Sequence, residues 1–274
     1  MSKIWFVTGA SRGFGRQWTE AALERGDSVA ATARDISALD ALVEQHGDRV
    51  LPLPLDVTDR DAVFATVAAA HAHFGRLDVI VNNAGYGLYG TVEELSEEGL
   101  RAVVETNLFG SVWVSQAVLP FLREQGSGHI LQVSSTGGVL TFPYVGAYNA
   151  SKWGIEGITQ ALAAEVAPFG IKVTLVEPDS FATTFGAVSA KFADPLPAYD
   201  GLRAAMGDFK TAISGGGAPT ASARAVLELV DLDEPPLRQL FGSKPLGYLK
   251  DEYARRLATW EAGQDLAVRA GGGF

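Results

Sequence analysis

The stretch Thr8-Gly9-Ala10-Ser11-Arg12-Gly13-Phe14-Gly15 decides how the rest of the chain is read. It ends the apolar run Ile4–Thr8, expected as a strand, and leads straight into Arg16–Arg25, expected as a helix with Gly26 as its C-terminal cap. A glycine turn between a strand and a helix lets backbone approach a pyrophosphate at the helix N-terminus, where unpaired amides and the helix dipole both favour an anion. The spacing here is G-x-x-x-G-x-G rather than G-x-G-x-x-G, so the turn alone is weak evidence. Its place directly after the first strand is what favours a dinucleotide.

Outward from that turn, short apolar or β-branched runs recur at Ser28–Thr32, Val50–Leu55, Val79–Asn82, His129–Val133 and Lys172–Glu177, with a weaker one at Gln239–Phe241. Helix-length segments lie between them, among them Asp59–Phe74, with Thr58 expected as N-cap, and Ala147–Phe169, closed by Gly170. This alternation predicts an α/β fold: a Rossmann-type doubly wound parallel sheet with helices on both faces. Several runs are apolar throughout, as burial on both faces requires.

From Pro178 to Thr220 the rhythm fails over a stretch far longer than the ~12–15 residues of an ordinary structureless loop. Short helices and a lid over a site are expected there, with Gly215-Gly216-Gly217 as a hinge. The simplest organisation is one dinucleotide-binding catalytic domain over residues 1–274, with 178–220 as its substrate-binding lid.

The absence of cysteine removes disulfides, thiol nucleophiles and cysteine-ligated metals. A net charge of −10 argues against nucleic acid and anionic membranes as partners. The apolar start Ile4-Trp5-Phe6-Val7 is too short for a signal or membrane segment, so a cytoplasmic protein is expected. His46, His71, His73 and His129 have no metal-ligand spacing, and the Glu93-Glu94 and Glu97-Glu98 pairs read as solvated surface.

Three segments in this order, Thr8–Gly15, Asn82-Asn83-Ala84-Gly85 and Tyr148-Asn149-Ala150-Ser151-Lys152, resemble the signatures of the short-chain dehydrogenase/reductase family, in its compact single-domain branch. The resemblance is close over about residues 3–183. It implies that Gly9, Ser11, Arg12, Gly13, Phe14 and Gly15 contact the dinucleotide, and that Asn83, Ala84 and Gly85 brace the sheet beside it. It also implies that Asp56 and Val57 contact adenine, although an Asp at a strand end is more often a turn former. After the sixth strand the family has a Pro-Gly pair and then a threonine at the carboxamide. Pro178 and Thr183 fit, while Asp179 replaces the glycine and would have to tolerate positive φ.

NAD-binding sites place an acid at the end of the second strand. Here Ala33 holds that place, Arg34 follows, and Arg12 lies in the glycine turn. Two guanidiniums suit a 2′-phosphate, so NADP(H) is favoured over NAD(H). Asp35 either caps the next helix or tolerates NAD.

Tyr148 and Lys152, four residues apart on an expected helix, project from one face. A lysine ammonium beside a phenol should favour the phenolate and make it a usable acid–base group. Ser135 stands at a strand end, where ligands bind in doubly wound sheets, with Ser134 as its rival. The resemblance implies that Ser135 bonds the substrate oxygen, that Tyr148 exchanges the proton, that Lys152 binds the nicotinamide ribose, and that Asn107 holds a water beside the lysine.

Together these readings imply an NADP-dependent oxidoreductase moving a hydride between the nicotinamide and a small-molecule ketone or secondary alcohol. Tyr86, Phe142, Tyr144, Phe181 and Phe185 suggest an aromatic pocket for a medium-sized apolar ketone, loosely like the steroid- and retinol-acting subgroup. The family's habit implies a homodimer or homotetramer. A non-catalytic dinucleotide sensor is the alternative, although such a protein could dispense with the catalytic positions. A sugar-nucleotide epimerase would need a larger C-terminal domain.

Overall fold

The structure, a computed structural model, describes residues 2–181, 189–209, 211 and 215–272. Its strands are β1 (Ile4–Val7), β2 (Ser28–Ala33), β3 (Val50–Pro54), β4 (Val79–Asn82), β5 (Gly87–Tyr89), β6 (Gly128–Val133), β7 (Ile171–Pro178), β8 (Ala190–Phe192) and β9 (Arg238–Phe241). The helices are α1 (Gly13–Arg25), α2 (Asp40–His46), α3 (Arg60–Phe74), α4 (Glu97–Val104), α5 (Gly110–Gln125), α6 (Gly146–Val166), α7 (Asp200–Met206), α8 (Pro219–Asp231), α9 (Pro245–Ala262) and α10 (Gln264–Ala270).

Seven strands form one sheet in the order β3-β2-β1-β4-β6-β7-β9, with every neighbouring pair parallel. The chain runs outward from β1 to β3 and then returns to set β4 against the other side of β1. The β1/β4 seam is therefore the switch point, and the carboxyl ends of these strands open the crevice where ligands bind in such sheets.

Strand β1 shows why the runs are apolar throughout. Trp5 and Val7 enter one core and Phe6 enters the other, all fully buried. Trp18 and Leu23 of α1 and Val226 and Leu229 of α8 cover the first face. Val63 and Val67 of α3, Val114 and Leu122 of α5 and Val166 of α6 cover the second. Both buried indoles satisfy their N–H groups, Trp5 Nε1 on Asp27 Oδ2 at 2.8 Å and Trp18 Nε1 on Ser222 Oγ at 2.9 Å. The second bond ties α1 to α8.

The expected strands lie within one residue of the observed ends. Helix α1 starts earlier than expected, at Gly13, inside the glycine turn itself. Asp59, not Thr58, caps α3, because its Oδ1 accepts from Ala62 N at 2.9 Å while the Thr58 hydroxyl donates to Asp56 at 2.8 Å. Sequence periodicity missed the parallel pair β5–β8, whose strands are three residues each. Within 178–220 the structure places β8, a 3-10 turn at Pro197–Tyr199 and α7.

Glu94 corrects the solvated-surface reading. Its side chain is wholly buried and accepts from Thr91 N and Leu196 N, both at 2.8 Å, and from the Arg203 guanidinium. Burial pushes its carboxyl up, but the amides of Leu196 and Thr91 and the arginine outweigh that and pull it down to about 2. A buried carboxylate with this many donors is well satisfied, and it clamps the segment before α7 onto the start of α4. Glu97 by contrast is exposed and pairs with Arg101 at 2.7 Å. No helix among the described residues is long and apolar enough to cross a membrane.

Candidate active site

The glycine turn is held from the neighbouring strand. Asn83 Nδ2 donates to the carbonyl oxygens of Thr8 and Gly9 at 2.8 and 3.1 Å, and Thr8 Oγ1 accepts from Asn83 N and Ala84 N at 2.9 and 3.0 Å. Gly9 and Gly13 adopt φ +67° and +59°, a region costly for any residue with a Cβ. A Cβ on Gly15 would collide with the Gly9 carbonyl and the Asn83 amide, so α1 can only approach the turn this closely with glycine there. Helix α1 begins at Gly13 with no side-chain cap on its first amides, which leaves them for an anion. The space beside Gly13 is open. Phe14 turns its ring into the core, stacked on Trp18 at 5.3 Å and edge-on to Phe181 at 5.0 Å, so only its backbone can serve a ligand. Ser11 is half-buried within the turn.

At the adenosine end, Ala33 closes β2 and is buried. Arg12 and Arg34 are exposed, and neither guanidinium has a hydrogen-bond or ion-pair partner among the described residues. Asp35 is committed elsewhere: its Oδ1 accepts from Ser37 N at 3.0 Å and Ser37 Oγ at 2.7 Å, capping a short 3-10 helix. Asp56 is an exposed turn former bonded to Thr58 N at 3.0 Å, and Val57 is buried against Gly110.

The third group gathers at the N-terminus of α6. Tyr148 and Lys152 sit one turn apart there and are 9% and 5% exposed. Ser135 follows β6, and its Oγ accepts from Gly137 N at 3.0 Å. Gly137 packs between the two partners, since a Cβ there would lie 3.4 Å from the Tyr148 ring and 3.5 Å from Ser135 Oγ. The Ser135 hydroxyl acts on the Tyr148 phenol and pulls it down. Ser134 lies instead against Gly138 and Glu156.

Lys152 Nζ lies 5.8 Å from the centre of the Tyr148 ring and donates to Val133 O at 2.7 Å. The expected acidification of the phenol is not what the chain's own groups produce. Burial pushes Tyr148 up, and with the Ser135 hydroxyl opposing it the phenol stands at about 12. Burial pulls Lys152 down to about 8, against the pull of Glu156. The lysine ammonium points at a carbonyl rather than the phenol, and desolvation dominates both groups.

Asn107 lies in a π-helical turn between α4 and α5. Its amide donates to Tyr86 O at 2.9 Å and Ser151 Oγ at 3.0 Å, and its Oδ1 accepts from Tyr86 N at 3.0 Å. Gly85 packs directly on that Oδ1. Pro178 O, at the end of β7, accepts from Thr136 Oγ1 at 3.1 Å. Asp179 needs no glycine-like backbone, because the one described non-glycine residue at positive φ is Tyr144, at +73°. Thr183 lies outside the described residues.

The aromatic pocket is built differently from expectation. Tyr144 joins it, with Tyr89, Phe192 and Phe209 around Tyr148. Tyr89 is 6.2 Å from Tyr148, 5.5 Å from Phe192 and 5.2 Å from Phe209, centre to centre. Phe142 is exposed, Phe181 is spent on Phe14, Tyr86 packs under Lys191, and Phe185 lies outside the described residues. The missed residues come from β5, β8 and the segment after α7, whose convergence no local pattern signals.

The family model described as short chain dehydrogenase matches residues 3–192. Oxidoreductase BOA17 of Botryotinia fuckeliana (strain B05.10) is 45% identical over 251 residues, which span 90% of this chain and 92% of that protein. The crystal structure of a short-chain dehydrogenase from Streptomyces avermitilis superposes with a TM-score of 0.92 at 40% identity, covering 100% of this chain and 99% of that one. More distant structures carry either dinucleotide. An alcohol dehydrogenase from the archaeon Thermococcus sibiricus was solved with 5-hydroxy-NADP (27% identity, TM-score 0.74, 89% and 98% coverage). A short chain dehydrogenase/reductase from Burkholderia phymatum was solved with NAD (25% identity, TM-score 0.81, 91% and 92% coverage).

Proposed function

This chain belongs to the short-chain dehydrogenase family of oxidoreductases, and we propose that it reduces a medium-sized apolar ketone to a secondary alcohol with NADPH. The observation that carries this reading is Ser135 and Tyr148 brought together around Gly137 at the carboxyl end of the sheet, with Lys152 one turn further along α6.

The residues present fit a dinucleotide. Gly9, Gly13 and Gly15 with the uncapped start of α1 would hold the pyrophosphate, and Asp56 and Val57 would border the adenine. Arg12 and Arg34, whose guanidiniums have no other partner among the described residues, would take a 2′-phosphate, while Asp35 turns its Oδ1 to Ser37 to cap the 3-10 helix that follows. Asn83, Ala84, Gly85 and Pro178 would line the nicotinamide half, as would Thr183.

When bound, NADPH supplies the hydride that reduces the carbonyl carbon. Tyr148, protonated at neutral pH because burial holds its phenol high, gives its proton to the carbonyl oxygen. Ser135 donates a hydrogen bond to the same oxygen and stabilises the charge that develops on it. Lys152 holds a ribose hydroxyl with the ammonium hydrogens that Val133 leaves free. Asn107 acts by fixing Tyr86 and the Ser151 hydroxyl around α6. Oxidation runs the same steps backwards, with Tyr148 taking the proton.

Tyr89, Tyr144, Phe192 and Phe209 support an apolar substrate. The segment from Pro178 to Thr220, clamped through Glu94 and Arg203, serves as the cover over it within one catalytic domain. The same reading includes a second copy packed on the helices around Asn107 and Tyr148, where Phe109, Trp153 and Ile158 are exposed.

The test follows NADPH and NADH absorbance against ketones, aldehydes and quinones of graded size. NADPH consumption with apolar ketones is expected. Failure of both nucleotides with every carbonyl would overturn the reading in favour of a dinucleotide sensor.

A further inference from the structure

Behind Tyr148 and Lys152 lies a buried charge cluster that the proposed chemistry does not use. Glu156 follows Lys152 by one turn of α6 and is 5% exposed. Its Oε2 accepts from Nε of Arg238, on the last strand of the sheet, at 3.1 Å. The same Nε lies 3.4 Å from Oε1 of Glu177, a buried residue of β7. The guanidinium also donates to Gln160 Oε1 at 3.0 Å, one further turn along α6. Arg238, Gln160 and Glu177 line a surface cleft together with Lys250 and Tyr253 of α9.

Lys152, Glu156, Glu177 and Arg238 are thus two cations and two anions reaching from the tyrosine–lysine turn to the sheet edge. Bringing an ammonium out of water costs several kcal/mol unless an anion stands near it. Among the described residues Lys152 Nζ bonds only a neutral carbonyl, Val133 O, and no carboxylate lies within ion-pair distance of it. Glu156 acts on it from one turn away, through an interior that screens charge poorly. Burial pushes Glu156 itself up, and the Ser134 hydroxyl and the Arg238 guanidinium pull against that.

We infer that Glu156, kept ionised by Arg238, is the buried counter-ion that keeps Lys152 protonated, making both positioning residues for the tyrosine–lysine pair. The link to catalysis rests on the proposed function; the counter-ion itself does not. The charged and titratable groups around it are Tyr148, Lys152, Glu156, Glu177, Arg238, Lys250 and Tyr253. Burial pulls Lys152 down to about 8 even with Glu156 present, so little further loss would neutralise it near physiological pH. Burial, then the Glu156 charge, pushes Glu177 up to about 7 against Arg238. Protonation of Glu177 in that range takes its charge from the guanidinium and leaves Glu156 and the neutral Gln160 as partners.

The direct test needs neither cofactor nor turnover. Protein carrying 13C-labelled lysine is titrated by NMR, with the Lys152 signal assigned by Lys152→Met. We expect Glu156→Gln to lower the Lys152 midpoint by about one pH unit or more, Glu156→Asp to recover part of it, and Arg238→Gln to lower it less than Glu156→Gln does. The pH at which kcat/KM for ketone reduction begins to fall should move with it. Loss of activity at every pH with an unmoved midpoint would reveal a merely structural role and overturn the inference. If Glu156→Gln fails to fold, Glu156→Asp and Arg238→Gln decide the question by the same midpoint. A moving midpoint in a protein that reduces no carbonyl would support the counter-ion and sink the proposed function alone.

Discussion

Asn83 donates its side-chain amide to the carbonyls of Thr8 and Gly9 at 2.8 and 3.1 Å, so the turn after β4 carries the turn after β1. The two strand ends at the switch point are locked to each other before any ligand arrives, and the glycine turn is preformed. Asn83→Ala leaves both carbonyls without that donor and should cost about 1–3 kcal/mol. At roughly 2–4 °C per kcal/mol for a chain of this size, thermal unfolding should shift down by several degrees. NADPH affinity should fall with it, as read by fluorescence titration. Unchanged melting and binding would show that the brace is decorative.

The guanidiniums of Arg12 and Arg34 have no other partner among the described residues at the adenosine end of the turn. A charged hydrogen bond contributes about 1.5–3 kcal/mol, so Arg12→Ala or Arg34→Ala should weaken NADPH about 10- to 100-fold while leaving NADH nearly unchanged. Isothermal titration with both nucleotides checks this. Equal losses for the two would mean the arginines do not read the 2′-phosphate.

Tyr148→Phe should bind NADPH within a few-fold of the parent and lose about 10²–10⁴ in kcat. The phenol, held at about 12, stays protonated over the working range. Lys152, pulled down to about 8, loses its proton first as pH rises. The rate of ketone reduction should therefore fall above about pH 8 through Lys152, with no separate limb from Tyr148 below pH 10. A descending limb only near pH 12 would separate the lysine from the chemistry.

Glu94 holds the Leu196 amide and Arg203 against the start of α4. Its folded-state carboxyl lies at about 2, below the ordinary 4.5, so its stabilisation is present above 4.5 and is lost as pH falls toward 2. Glu94→Gln should melt below the parent at pH 7, and the gap should close between pH 4.5 and 2. The same variant should show a raised KM, because the cover over the aromatic pocket is no longer clamped. A gap constant with pH would count against the clamp.

Much of this protein could be read locally. The strand ends fell within a residue because runs such as Ile4–Val7 are apolar on both faces, a pattern that belongs to the chain itself. The glycine turn, the Tyr148–Lys152 spacing and Ser135 at a strand end were equally visible, each being set by neighbours a few positions away. Other features were hidden for a physical reason. Glu94 reads as surface until Leu196 and Arg203, over a hundred residues later, supply its donors. Phe14 reads as part of the ligand turn until Trp18 and Phe181 claim its ring.

The sequence by itself determined the seven strands of the main sheet, the helices between them and the glycine-turn, serine, tyrosine and lysine positions, because backbone period, turn chemistry and residue spacing act over short range. Tertiary structure alone decided which groups share an environment. It gathered Tyr89, Phe192 and Phe209 around Tyr148, set Arg238 against Glu156, and raised a phenol that the adjacent lysine was expected to lower. Burial and long-range pairing depend on where distant segments come to rest, and desolvation is a property of the packed interior that spacing along the chain does not encode.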